Sequence, residues 1–255
     1  MDKRLKAFKR LLDIMDELRA ECPWDKKQTI QSLRHLTIEE TYELADAILE
    51  EDFKAIKGEL GDIMLHMVFY SKIASEKNEF DITAVLDTIC EKLIHRHPHI
   101  YGDVNVENEE QVKQNWEKLK LKEGKKSVLE GVPKSLPALV KAQRIQDKVA
   151  GVGFDWEEPH QVFDKVREEI EEFEDEVKQS DTNKMEEEFG DVLFSMINLA
   201  RHLNINPETA LEKTNKKFIK RFQYLETKAN SEQKKIQDLS LKEMDEIWNQ
   251  AKSMP

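Results

Sequence analysis

Apolar residues recur at helical spacing along almost the whole chain, and the alternation expected of strands is scarce. Leu5, Phe8, Leu12, Met15 and Leu18 share one face of a first helix, which ends before ECPWDKKQT, where Pro23 breaks the pattern. The same spacing predicts helices at about 37–50, 53–76, 82–96 and 108–121. Then the pattern stops. Four of the eight glycines lie between Gly124 and Gly153, with Pro133 and Pro137 among them. The segment KEGKKSVLEGVPKSLP is therefore the predicted linker, giving a first half over 1–122, a linker over 123–136 and a second half over 137–255. Helical periodicity resumes at about 137–150, 160–179, 184–203, 207–228 and 240–252. The expected fold class is all-α.

The two halves repeat a set of carboxylates. Glu40, Glu43, Glu59 and Asp62 correspond to Glu169, Glu172, Glu188 and Asp191, each shifted by 129 residues. Gly61 and Gly190 precede the aspartates, and DIMLHM parallels DVLFSM. Downstream, EKLIHRH parallels KKFIKRF, pairing Lys92 with Lys217 and Arg96 with Arg221, and Trp116 pairs with Trp248. Two copies at so long a period indicate a duplicated domain.

On a helix, residues three apart share a face, so Glu40 with Glu43 and Glu59 with Asp62 each form a pair. Sixteen residues separate Glu43 from Glu59, enough to finish one helix, turn near EEDF and return antiparallel. In the second copy the turn falls near QSDTN, with Asn183 and Glu186 spaced as a capping box. Four facing carboxylates repel one another and call for a cation. With oxygen ligands alone, Mg2+ or Mn2+ is expected before zinc, and phosphate oxygens complete its shell. Hydrolysis of a phosphoanhydride is the chemistry that follows, a carboxylate activating water.

Other readings compete. A single EExxE is most often a solvated helix face, Thr37 and Glu40 have capping-box spacing, and Glu168 and Glu171 read as surface residues. A di-iron bundle needs Glu-x-x-His on two helices; the second position here is Glu or Asp in every pair, and His66 is matched by Ser195. The run HRHPH, His95 to His99, is not repeated, and reads as a basic helix end rather than a zinc site. A helical interaction module that binds metal only for structure is the alternative from another class. A phosphohydrolase releasing orthophosphate is the alternative enzyme.

Composition narrows the choice. Charged residues are 36%, aromatics 7%, and the formal charge is -12, which disfavours extended contact with nucleic acid or anionic lipid. Cys22 and Cys90 form neither a disulfide framework nor a CxxC pair. No run approaches the roughly 18 apolar residues of a membrane span, so a soluble cytoplasmic protein is expected. GVGFDWEE lacks a P-loop pattern.

Taken together, CPWDKKQT, TIEETYELADAI, GELGDIMLHMVFY and HRHPHIYGD in the first half, with KSLPALVKAQRIQDKVAGVGFDW, KVREEIEEFEDE, EEEFGDVLFSMINLARHL and NKKFIKRF in the second, resemble the two-domain bacterial MazG-type nucleoside triphosphate pyrophosphohydrolases. The resemblance implies tandem all-α domains, each completed into a bundle by a homodimer. It implies Mg2+-dependent cleavage of NTPs and dNTPs to monophosphate and pyrophosphate, with Mn2+ as a substitute. Glu169, Glu172, Glu188 and Asp191 would be the catalytic metal ligands, and Glu40, Glu43, Glu59 and Asp62 their first-half equivalents. Substrate would meet Glu168, Lys217, Lys220, Arg221 and Trp248. Lys220 stands where the family commonly has a second arginine, which removes a bidentate fork. The weaker basic wall of EKLIHRH makes the second half the expected main site.

Overall fold

The computed structural model describes residues 2–108 and 127–252 and, between them, positions 111, 112, 115, 116 and 119. Most of the helix expected over 108–121, and linker residues 123–126, lie outside the described residues. Every regular element among the described residues is helical, and no described helix is long and apolar enough to cross a membrane. The chain divides into two compact units, Met1–Asn105 and Val106–Pro255.

In the first unit, α1 (Lys3–Glu21) leads through a 3-10 turn (Asp25–Lys27) to α2 (Ile30–Leu49), α3 (Phe53–Glu76), α4 (Ile82–Arg96) and a single turn, α5 (Pro98–Tyr101). Each long helix starts on a side-chain cap. Asp2, Thr29, Asp52 and Asp81 accept from backbone N–H groups of the first turn, satisfying donors that the helix leaves open. The box at α2 is Thr29 with Ser32, so the helix begins well before the expected position 37. Thr37 therefore lies inside α2, and the capping role expected of Thr37 and Glu40 is not realised. The core joins Met15 of α1, Leu33 of α2 and Val68, Phe69 and Ile73 of α3. Each such side chain taken from water contributes about 1.5–3 kcal/mol.

Arg19 fastens this unit. Its guanidinium donates to the carbonyls of Asp25 and Gln28 and pairs with Glu76 at 2.5 Å, lying 5.6 Å from the Phe69 ring centroid. The turn before α2 is thereby tied to the end of α3.

The second unit contains α6 (Ala138–Ala150), α7 (Pro159–Gln179), α8 (Thr182–His202), α9 (Pro207–Ser231), a 3-10 turn (Ile236–Asp238) and α10 (Leu241–Lys252). Ser180 turns the chain in the left-handed region at φ 60, and Asp181 caps α8 through the N–H groups of Asn183 and Lys184. The cap is thus Asp181, two residues before the expected Asn183. Val162, Val166 and Leu199 make the core between α7 and α8, while Leu225, Ala229, Leu239 and Ile247 make that of α9 and α10. The buried Lys148 donates to the Val128 carbonyl at 2.9 Å, and Lys141 to that of Lys134 at 2.7 Å, so α6 holds the segment preceding it. Asp155 receives Arg201 and, at 2.9 Å, His202, which ties the loop before α7 to the end of α8.

Candidate metal centre

Both helix hairpins gather carboxylates. Glu40 and Glu43 on α2 converge with Glu59 on α3, one oxygen from each lying within 4.8 Å of the others. Glu169 and Glu172 on α7 converge in the same way with Glu188 on α8. Among the described residues these are the groups of three or more His, Cys, Asp or Glu that converge so closely, and both are glutamate throughout. The fourth expected members, Asp62 and Asp191, stand outside the two triplets but within their electrostatic reach.

The electrostatics are those of crowded anions. Partial burial, then the charges of Asp62, Glu43, Glu59 and Glu39, raise the pKa of Glu40. Partial burial, then Glu172, Asp191, Glu169 and Glu176, raise that of Glu188. Three convergent carboxylates form a donor set that suits a hard divalent cation, and its all-oxygen chemistry fits Mg2+ or Mn2+. The histidine run takes another course. His97 Nδ1 lies 2.6 Å from the Leu93 carbonyl at the end of α4, with its ring 5.5 Å from that of His99.

The surroundings of the two triplets differ, and repetition alone hides the difference. Beside the second, Lys165 pairs with Glu168 at 2.7 Å and with the buried Glu169 at 2.8 Å. One turn beyond Glu172, Glu176 lies 3.7 Å from Lys184, and its second oxygen is buried without a hydrogen bond. Subtracting 129 gives Leu36, Ala47 and Ala55 as the first-unit counterparts of Lys165, Glu176 and Lys184. Helical spacing could have found all three: each lies four residues from a cluster carboxylate, on its face. Glu168, by contrast, does have a counterpart at that spacing, Glu39. On the other side of the first triplet, Thr37 bonds His66 and Tyr70 at 2.7 and 2.6 Å, where the second unit has Val166, Ser195 and Leu199.

The expected substrate-binding side chains occupy α7, α9 and α10. Glu168, on α7, is held by Lys165. Arg221 of α9 lies over the Trp248 ring of α10 at 5.9 Å, and Phe218 packs on that ring at 4.9 Å. Lys217 and Lys220 are exposed on the same helix. Arg221 and Trp248 are therefore brought together, and Phe218 joins them, at the place where the first-half motif EKLIHRH has Leu93.

A family profile described as the MazG nucleotide pyrophosphohydrolase domain matches twice, over residues 28–101 and 157–225. The chain is 44% identical over 252 residues to a protein of Escherichia coli (strain K12) named nucleoside triphosphate pyrophosphohydrolase, covering 95% of this chain and 96% of that one. It is 42% identical over 250 residues to the nucleoside triphosphate pyrophosphohydrolase/pyrophosphatase MazG of Thermotoga maritima, covering 96% and 95%. A solved structure of a mazG-related protein from Thermotoga maritima aligns with a TM-score of 0.40 at 26% identity, covering 44% of this chain and 98% of that one.

Proposed function

This chain belongs to the MazG nucleotide pyrophosphohydrolase family and is a nucleoside triphosphate pyrophosphohydrolase, and we propose that its main reaction centre is the triplet of the second unit. The observation that carries this is the convergence of Glu169, Glu172 and Glu188 beside Lys165 and Lys184, where the first unit has Leu36 and Ala55 in place of the two lysines.

In this reading Glu169, Glu172, Glu188 and Asp191 hold Mg2+, or Mn2+ in its place, and Glu40, Glu43, Glu59 and Asp62 form the equivalent first-unit site. A bound ion would supply charge neutralisation for the triphosphate and acidity to a water. A carboxylate of the group accepts the proton of the attacking water, and the bond between the α and β phosphoryl groups breaks to leave monophosphate and pyrophosphate. Lys217, Lys220 and Arg221 oppose the phosphate charge, Arg221 as a fork and the lysines as point charges. Trp248 offers its face to the base, and Glu168 holds Lys165 at the edge of the site.

A homodimer is part of the proposal. Phe163, Ile170 and Val177 recur every seven residues along α7 and are exposed, as are Leu193 and Met196 on α8. An apolar stripe of this kind is covered in a stable protein. Gly190, in the middle of α8, costs about 1 kcal/mol relative to alanine, and a Cβ there would meet no atom within 4 Å. A second copy of the chain supplies the close approach that such a glycine permits. The free nucleotide pool places the enzyme in the cytoplasm. Product analysis with ATP and Mg2+ or Ca2+ tests the reading: AMP and pyrophosphate with Mg2+ support it, and binding of either ion without turnover opposes it.

A further inference from the structure

Among the described residues, the two carboxylate triplets differ in whether a cationic side chain is already paired with them. Lys165 stands four residues before Glu169, so its ammonium lies on the cluster face of α7, 2.8 Å from a carboxylate oxygen of Glu169 and 2.7 Å from one of Glu168. Glu169 is 7% exposed, and a charge pair at so sheltered an oxygen is screened less than one in open solvent. At the corresponding place the first unit has Leu36, partly buried against the core and without charge. Among the described residues, the side-chain charges that act on Glu40 are carboxylates: Asp62, Glu43, Glu59 and Glu39.

We propose that Lys165 is a tethered counter-ion that weakens the second triplet's hold on free divalent metal, so that the first triplet is the one that keeps an ion when no substrate is bound. The inference rests on the reading that both triplets bind metal. A free ion entering the second triplet has to displace an ammonium that the chain itself delivers at high local concentration. An ion entering the first relieves mutual repulsion among carboxylates and, among the described residues, displaces no cationic side chain. A metal–triphosphate complex carries net negative charge, so the lysine attracts it while opposing the bare ion. The second unit thus takes its ion together with the nucleotide, and the first unit's ion is resident. Lys165 is in this sense a positioning residue, acting through Glu169 on the occupancy of the site.

The test is a Mn2+ titration of the full chain without nucleotide, with free Mn2+ followed by electron paramagnetic resonance. The wild type is expected to show one tight class, removed by Glu40→Gln, and a second class weaker by about tenfold or more, removed by Glu172→Gln. Lys165→Met brings the second class close to the first, whereas Lys165→Arg, which keeps the charge, leaves it weak. A merely structural role for Lys165 would not move the metal affinity in this charge-dependent way. Two classes of equal strength, or a weak class that Lys165→Met leaves unchanged, would overturn the inference while leaving the metal reading intact. Absence of Mn2+ binding at either triplet would overturn the metal reading itself.

Discussion

Thr37 Oγ1 lies 2.7 Å from Nδ1 of the buried His66, across the hairpin of α2 and α3. Thr37 Oγ1 is also within hydrogen-bond distance of the Leu33 carbonyl and the Tyr70 hydroxyl, so His66 joins a polar network across the hairpin. Burial lowers the His66 pKa, against a smaller opposite pull from Asp62. The folded state therefore binds a proton here less readily than the unfolded chain. Stability from this source is present above about pH 6.5 and is lost as pH falls through that value toward the depressed pKa. His66→Gln removes the titration, so the gap in thermal midpoint between wild type and variant narrows on acidification from about pH 8 to pH 5. A gap independent of pH would contradict this assignment.

Glu40 titrates in the opposite sense. Its folded pKa is raised, so the metal-free protein carries a penalty above that pKa which disappears as pH falls through it. Glu40→Gln removes the penalty and is expected to raise the metal-free thermal midpoint at neutral pH by a few degrees, since about 1 kcal/mol corresponds to roughly 2–4 °C at this size. The same variant should lose most of the shift that Mg2+ gives the wild type. Calorimetry with and without the ion decides, and a variant less stable than wild type in both conditions would count against the crowded-anion account.

Arg19 holds two carbonyls and Glu76 together, with its side chain 10% exposed. Arg19→Met leaves those acceptors short of a donor and should cost about 1.5–3 kcal/mol. The hydrogen bond and charge of Arg19 depress the Glu76 pKa. That contribution is present above about pH 4.5 and is lost as pH falls through the folded pKa, so denaturant midpoints of wild type and variant should converge in acid.

Trp248 and Arg221 make a testable pair because their contact spans two helices. If the ring faces the base, Trp248→Ala raises KM by roughly tenfold, with a smaller change in kcat, and Trp248→Phe falls between. Steady-state kinetics with one nucleotide separates the two parameters. An unchanged KM would remove Trp248 from the site.

The hairpins were legible because each needs only helical spacing, a turn and a carboxylate pair that faces its copy, as Glu40, Glu43 and Glu59 do. The start of α2 was not, because IQSLRH carries little apolar signal and its helix is specified by a short-range Thr29–Ser32 box. Lys165, Glu176 and Lys184 escaped for the opposite reason: comparison of the halves selects what they share, and these three positions are Leu36, Ala47 and Ala55 in the first. Repetition picked out the carboxylates that converge, while the asymmetry that distinguishes the two groups lies in the residues that did not repeat. The exposed stripe Phe163, Ile170 and Val177 shows the remaining gap, since periodicity marks a face as apolar without saying what covers it.

The central claim is that the second triplet carries the reaction. Its most direct test is quantification of monophosphate and pyrophosphate from ATP and a dNTP panel with Mg2+, for wild type, Glu169→Gln and Glu40→Gln. The account predicts both products from wild type, most of that turnover from Glu40→Gln and essentially none from Glu169→Gln. Equal loss in the two variants, or release of orthophosphate in place of pyrophosphate, would contradict it.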